Sequence, residues 1–380
     1  MFSPITELDA RGPLIDIIIW VVLVFLTYPL LKTSSMRKKY STFLPLVFII
    51  LFLLYAFYGG DYFRYDQKLE EMQTSLRELQ DITYQEHMEP VYWFIGSLVN
   101  YNYFLFRAVI FVGAFGLCIL SMKLEKISIP AFLLFFVIAG LVSFSVSRLC
   151  LAISIALLGY SFFLKKDESK YKYIIFKIVG ISLFVVSFFF HKSIIFLLAI
   201  LILSLLPLKK QLLKAIMVAA PIAAFIFGGF LVNYLFSIGG GDSMINFNSA
   251  QSYATTERSY GIGSSMVMLF SYVYYYTVQF FSIRFIGTSE YEEAPIFIKC
   301  LTRSVFWIVL VSTLFLFIPG IERIMFYNRF LNFTQIMAIP VLAYSLQTAF
   351  KHKLLVRIYY IAFVWEAATL TLCLIGKTVN

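Results

Sequence analysis

Uncharged apolar runs of about twenty residues recur from one end of this 380-residue chain to the other. A helix needs a run of that length to cross a hydrocarbon core of about 30 Å. The runs are continuous and do not alternate, which sets aside a closed β-barrel. With 61% hydrophobic and 14% charged residues, the chain carries more apolar surface than a soluble core of its size can enclose, so lipid must cover the rest. The expectation is an all-α polytopic integral membrane protein. The first run follows Glu7, Asp9 and Arg11 and lacks a small-residue cleavage signature, so it reads as a retained helix.

The runs predict about twelve transmembrane helices: 14–31, 43–58, 102–121, 129–146, 149–164, 173–190, 193–207, 214–236, 265–285, 298–318, 324–348 and 354–375. They read as a single transmembrane domain over 1–380, with no internal repeat to suggest an inverted-repeat transporter. The net charge of +10 does not call for nucleic acid, because the cations sit in short clusters between apolar runs. Cys118, Cys150, Cys300 and Cys373 lie far apart, each in or beside an apolar run. They read as small core residues, not as a metal site or a disulfide frame.

Every second loop is basic, and basic loops belong in the cytoplasm. Lys32 with Arg37 to Lys39, Lys123 with Lys126, Lys165 to Lys172, Lys209 to Lys214, and Lys351 with Lys353 form the set. The loop around Tyr291 to Glu293 departs from it with acids, although Arg284, Lys299 and Arg303 flank it. Both termini are then expected outside. The opposite side carries two longer segments, an acidic outer loop at 59–90 and a mobile outer loop at 237–264. Within the first, 67–80 reads as a short solvated helix, and 88–100 as an amphipathic segment anchored in the interface by Tyr92 and Trp93.

Several polar residues stand out. Arg148 falls between two apolar runs with almost no room for a loop. Its guanidinium suits either a lipid diphosphate, which it can grip with a fork, or a snorkelling role at the interface. His191 and Lys192 end the sixth run just before Ser193, so His191 is either an acid or base at the outer mouth or a helix-end cap. Asp61, beside Tyr62 and after Gly59 and Gly60, and Glu89 before Pro90 are carboxylates with aromatic neighbours. Such a group suits a sugar site or a simple turn. Arg323 and Tyr327 share a helix face, as do Glu322 and Arg329, giving a further guanidinium or a surface ion pair. The middle of the membrane is nearly free of charge, with Glu366 the main exception and Gln279 and Gln335 milder ones. An ion-coupled carrier would bury ionisable groups there.

In their order, Gly60-Asp61, Glu89-Pro90, Arg148 with the small-residue run Ala152 to Ala156, His191 with Ser193, and Arg323 with Tyr327 resemble the EpsG family of Wzy-type polysaccharide polymerases. The resemblance implies a glycosyltransferase of the bacterial inner membrane, multi-pass, acting at its periplasmic or outer face. Its substrate would be a polyprenyl-diphosphate-linked oligosaccharide repeat unit, undecaprenyl diphosphate being the carrier, and its product O-antigen or exopolysaccharide. Arg148 and Arg323, with Arg329 or Lys192, would hold the departing diphosphate, so no metal or other cofactor is called for. His191, or else Glu89 or Asp61, would accept the proton of the attacking sugar hydroxyl. Tyr253, Arg258, Tyr327, Tyr62 and Trp93 would seat the glycan. Membrane lipid, a chain-length regulator and a flippase are the expected partners. Rival readings are a lipid-linked oligosaccharide flippase or other transporter, and a glycan ligase or O-acyltransferase.

Overall fold

The computed structural model describes residues 13–31, 46–51, 69, 90–140, 147–207, 209–238, 262–317 and 323–379. Within these ranges the side chains of Trp93, Arg148, Arg323, Tyr327 and Arg329 are not described. The described residues form helices and no strands. In chain order these are α1 Pro13–Thr27 with a 3-10 turn Tyr28–Leu31, α2 Pro90–Leu98, α3 Tyr103–Leu124, α4 Ile129–Ala139 and α5 Ser147–Leu164. Then come α6 Lys170–Phe190, α7 Ile194–Leu203, α8 Lys210–Ile238, α9 Ile262–Phe285 and α10 Ser289–Glu292. The chain continues with α11 Ile296–Phe317, α12 Arg323–Gln347 and α13 His352–Val379.

Each expected span meets helix, the second at 46–51. Six of the described helices are long and apolar enough to cross a bilayer, and four shorter ones are apolar. Apolar side chains such as Ile178, Val185 and Phe189 on α6, and Val218, Phe225 and Phe230 on α8, are exposed on the protein. Faces of that kind require lipid. The chain is an all-α polytopic membrane protein.

Two compact units are present. The first comprises residues 1–198 and 339–380. At its centre α5 packs against α3 and α6, and every residue from Leu149 to Ser161 is buried. A helix apolar on all sides must cover every face with protein or lipid, and here protein covers them. Beside them α1, α4 and α13 form a second group. There the Trp20 indole donates to the Val137 carbonyl at 3.0 Å and stacks on Phe363. At the turn after α3, the Gln347 amide accepts from Ser128 N–H and donates to the Lys126 carbonyl. Asn100 and Tyr101, with φ of 51° and 55°, make the tight turn between α2 and α3. Asn102 then caps α3 by accepting from Leu105 N–H at 3.0 Å.

The second unit spans residues 199–338, where α11 packs against α8 and α9. The Gln279 amide on α9 donates to the Phe306 carbonyl on α11, and Tyr276 and Thr313 share a hydrogen bond at 3.0 Å. Arg303 is buried near the start of α11. It donates to the Ser204 carbonyl at 2.6 Å, to Cys300 Sγ at 3.2 Å and to Tyr291 Oη at 3.4 Å. The sequence reading left Arg303 as a cation flanking a loop. The fold instead uses it to close the carbonyl end of α7. Burial raises the Tyr291 hydroxyl above its ordinary pKa, and the Arg303 charge opposes that rise.

Candidate functional site

The α5–α6 pair sets the geometry. Gly159 and Gly180 face each other so closely that a Cβ on Gly180 would lie 2.8 Å from the Gly159 carbonyl oxygen and 2.8 Å from Phe163 N. The helices run in opposite directions, as further contacts between Tyr160 and Phe184 and between Phe162 and Phe176 confirm. Counting eleven residues back from Gly159 reaches Arg148, and eleven forward from Gly180 reaches His191. At 1.5 Å per residue both lie about 16 Å from the crossing, at the same end of the pair. Arg148 is not in a turn, as the sequence suggested. It belongs to the first turn of α5, which begins at Ser147.

His191 ends α6 with an extended backbone (φ −160°, ψ 116°), its N–H bonded to the Ser187 carbonyl. The Ser193 hydroxyl lies 3.3 Å from Nδ1 and 3.4 Å from Nε2, so it meets the ring in either orientation. His191 is partly exposed and Lys192 exposed. Tyr92 on α2 packs its ring against Phe190, the residue before His191, at 5.9 Å, and against Phe106 on α3 at 6.3 Å. Tyr92 is fully buried. This corrects the expectation of an interfacial anchor, because α2 turns Tyr92 onto its two helical neighbours and away from lipid.

One residue at this end escaped the sequence reading. Arg107, which follows Phe106, is fully buried. A single arginine near the start of an apolar run looks like an interfacial cation. Its helical face is shared with Tyr103, Ile110, Ala114 and Cys118, all buried, but the other faces of α3 are apolar too, so no sequence signal marks it. Arg148 stands in the first turn of α5, where the partial positive charge of a helix N-terminus favours an anion. The end of α6 carries partial negative charge, which suits a group that takes up a proton.

The EpsG family model matches residues 17–372, from α1 through α13. The chain belongs to the EpsG family. This is the family of Wzy-type, exopolysaccharide polymerase-like proteins, and membership makes the chain a membrane protein of polysaccharide biosynthesis. No curated protein and no solved structure matches it significantly.

Of the residues singled out in this EpsG-family chain, Arg148, His191, Lys192 and Ser193 come to one end of the first unit. Arg323, Tyr327 and Arg329 lie in the opening turns of α12, in the second unit, where the helical backbone puts Arg323 and Tyr327 on one face. Asp61, Tyr62, Glu89, Tyr253, Arg258 and Glu322 lie outside the described residues, as do most of 59–90 and of 237–264, including the helix expected at 67–80 apart from Leu69. Glu366 on α13 and Gln335 on α12 are fully buried. Cys118, Cys150 and Cys300 are buried free thiols, as core residues would be.

The other end of the same helices is built differently. Lys123, Lys126, Lys165, Lys166, Lys170 and Lys172 cluster there. The Ser161 hydroxyl on α5 donates to the Glu125 carboxylate that ends α3. Burial raises the Glu125 carboxyl above its ordinary pKa, while the Ser161 hydrogen bond and the Lys165 charge pull it down. Lys177 donates to the Phe163 carbonyl and lies over the Phe163 ring.

Proposed function

We propose that this protein is a polysaccharide polymerase, a glycosyltransferase that joins oligosaccharide repeat units carried on a polyprenyl diphosphate at the outer face of the bacterial inner membrane. The observation that carries the reading is the shared level of Arg148 and His191 at one end of the α5–α6 pair, opposite the lysine cluster. By the positive-inside rule the lysine end faces the cytoplasm, so the His191 end and both termini face outward.

In the reaction a hydroxyl at the non-reducing end of one lipid-linked unit attacks the anomeric carbon of the growing glycan. The new glycosidic bond forms as the bond from that carbon to the diphosphate breaks. Polyprenyl diphosphate leaves with the electron pair. His191, beside Ser193, takes the hydroxyl proton. Arg148 and the α5 N-terminus neutralise the charge that develops on the leaving group, where a positioned cation lowers the barrier most. Lys192 adds charge beside His191, and the aromatic and polar residues of 59–90 and 237–264 seat the glycan. A chain-length regulator and a flippase are the natural partners of such an enzyme.

A deletion strain complemented with variants tests this. Deletion should abolish the ladder of polymer lengths while surface material of a single repeat persists, and Arg148→Ala should reproduce that phenotype. Loss of all attached glycan on deletion would instead point to a ligase. Wild-type chain lengths in the Arg148→Ala strain would remove Arg148 from the reaction.

A further inference from the structure

The lysine end of the first unit is built more specifically than an orientation signal requires. A basic loop satisfies the positive-inside rule wherever its charges stand along the membrane surface. Here they stand at the foot of a lipid-facing stripe. Along α6, Tyr171, Ile174, Ile178, Ile181, Val185 and Phe189 follow one another at helical spacing, and each is exposed. The stripe begins at Tyr171, which is 74% exposed and lies between Lys170 and Lys172.

The turn between α5 and α6 decides which lysines face outward. Lys177 donates to the Phe163 carbonyl and lies 4.7 Å over the rings of Phe163 and Tyr173, and Lys165 lies 4.9 Å over Phe176. These two lysines hold the turn together. Lys166, Lys170 and Lys172 are exposed, and among the described residues none of them is in an ion pair. Of the carboxylates at this end, Glu125 accepts from the Ser161 hydroxyl and Asp167 from Ser169 N–H, which leaves Glu168 exposed. Because the Glu125–Ser161 bond joins the end of α3 to α5, the exposed Lys123 and Lys126 belong to the same patch.

We propose that this patch binds an anionic phospholipid, its phosphate held by Lys166, Lys170 and Lys172 and its acyl chains lying along the stripe from Ile174 to Ile181. The continuity of stripe and charge selects the occupant. A soluble acidic protein would meet the lysines and leave the stripe bare. A phospholipid presents a phosphate and then an apolar tail, in the order in which α6 presents cations and then isoleucines. Tyr171 stands at headgroup depth, where a ring with a polar tip is favoured. Each lysine beside an anionic headgroup contributes about a fivefold gain in affinity. The site does not depend on the polymerase reading.

Native mass spectrometry of the full-length protein in a neutral detergent, titrated with phosphatidylglycerol or with phosphatidylcholine of the same acyl chains, tests this. Wild type should prefer phosphatidylglycerol, and the absence of a preference would overturn the site. Lys166→Gln/Lys170→Gln/Lys172→Gln should weaken phosphatidylglycerol binding on the order of a hundredfold, about fivefold for each lysine, and leave phosphatidylcholine binding unchanged. Lys209→Gln/Lys210→Gln/Lys214→Gln removes the same charge at the start of α8 and should leave both affinities as in wild type. Equal losses in the two triple variants would show a response to net charge alone and overturn the site, as would a first variant that binds like wild type. If that variant does not accumulate, Lys170→Gln alone carries the test, with a loss of about fivefold expected and no loss overturning the assignment. Glycerol phosphate, the headgroup without its chains, should not displace the lipid, and displacement at matched concentrations would show that the stripe takes no part. A polyglutamate peptide that displaced the lipid at matched concentrations would assign the patch to an acidic protein and overturn the proposal.

Discussion

Gly159 and Gly180 meet backbone to backbone, and that contact sets where Arg148 and His191 stand. Small residues let membrane helices approach closely where no hydrophobic force drives them together. The close approach also fixes their relative register, because a glycine pair admits the neighbour's carbonyl where a side chain would push it aside.

A methyl group at Gly180 is expected to separate the two helices. Its Cβ would fall 2.8 Å from the Gly159 carbonyl oxygen and 2.9 Å from Phe163 Cα, both backbone atoms that cannot swing away. Gly180→Ala should cost about 1–3 kcal/mol, the usual range for overpacking, and should reduce polymer by moving His191 from Arg148. Gly113→Ala is the control, since its Cβ would make only an ordinary 3.5 Å contact with Leu151. Thermal unfolding in detergent, read beside polymer yield, distinguishes the two.

The Ser193 hydroxyl lies within hydrogen-bond reach of both His191 ring nitrogens. Ser193→Ala removes one hydrogen bond worth about 1 kcal/mol, so turnover should fall about fivefold while the melting temperature stays put. Unchanged turnover would mean that other contacts orient the imidazole.

How far the fold was legible follows from what each signal averages over. A span is a sum over some twenty residues, so helix after helix appeared where expected. Arg148 and His191 were visible because each is polar at the edge of an apolar run, and helix ends are where such residues fall. Arg107 and Tyr92 were not, for a physical reason. When every face of a helix is apolar, the pattern gives no direction to the core, and only packing shows that Arg107 and Tyr92 turn inward. Arg303 was missed for a related reason. The carbonyl it closes belongs to Ser204, ninety-nine residues away, and no local pattern reports such a partner.

Glu125 yields a pH prediction. Its carboxyl sits above the ordinary value because burial disfavours the charged form. A raised carboxyl binds its proton more tightly in the folded state than in the unfolded one. Its favourable contribution is therefore complete below the unfolded value of about 4.3 and is lost as pH rises through the folded value. Glu125→Gln keeps an acceptor for the Ser161 hydroxyl and removes the titration. The variant should be as stable as wild type at acid pH and more stable at neutral pH, with a flatter melting profile between. A variant less stable than wild type at pH 7 would show that attraction to Lys165 outweighs burial.

Arg303 offers the strongest stability prediction. Its guanidinium is buried against the Ser204 carbonyl, Cys300 Sγ and Tyr291 Oη. Arg303→Ala leaves the Ser204 carbonyl without its charged donor and opens a cavity beneath α10, so a loss of about 3 kcal/mol is expected. Arg303→Lys keeps the charge but cannot reach three acceptors with one ammonium, and should recover less than half of that loss. Tyr291→Phe removes only the longest of the three contacts, at 3.4 Å, and should cost under about 1 kcal/mol. Melting temperatures of the three variants in one detergent should rank in that order. If Arg303→Lys matched wild type, charge alone would explain the site, and the closing of α7 by the guanidinium fork would have to be given up.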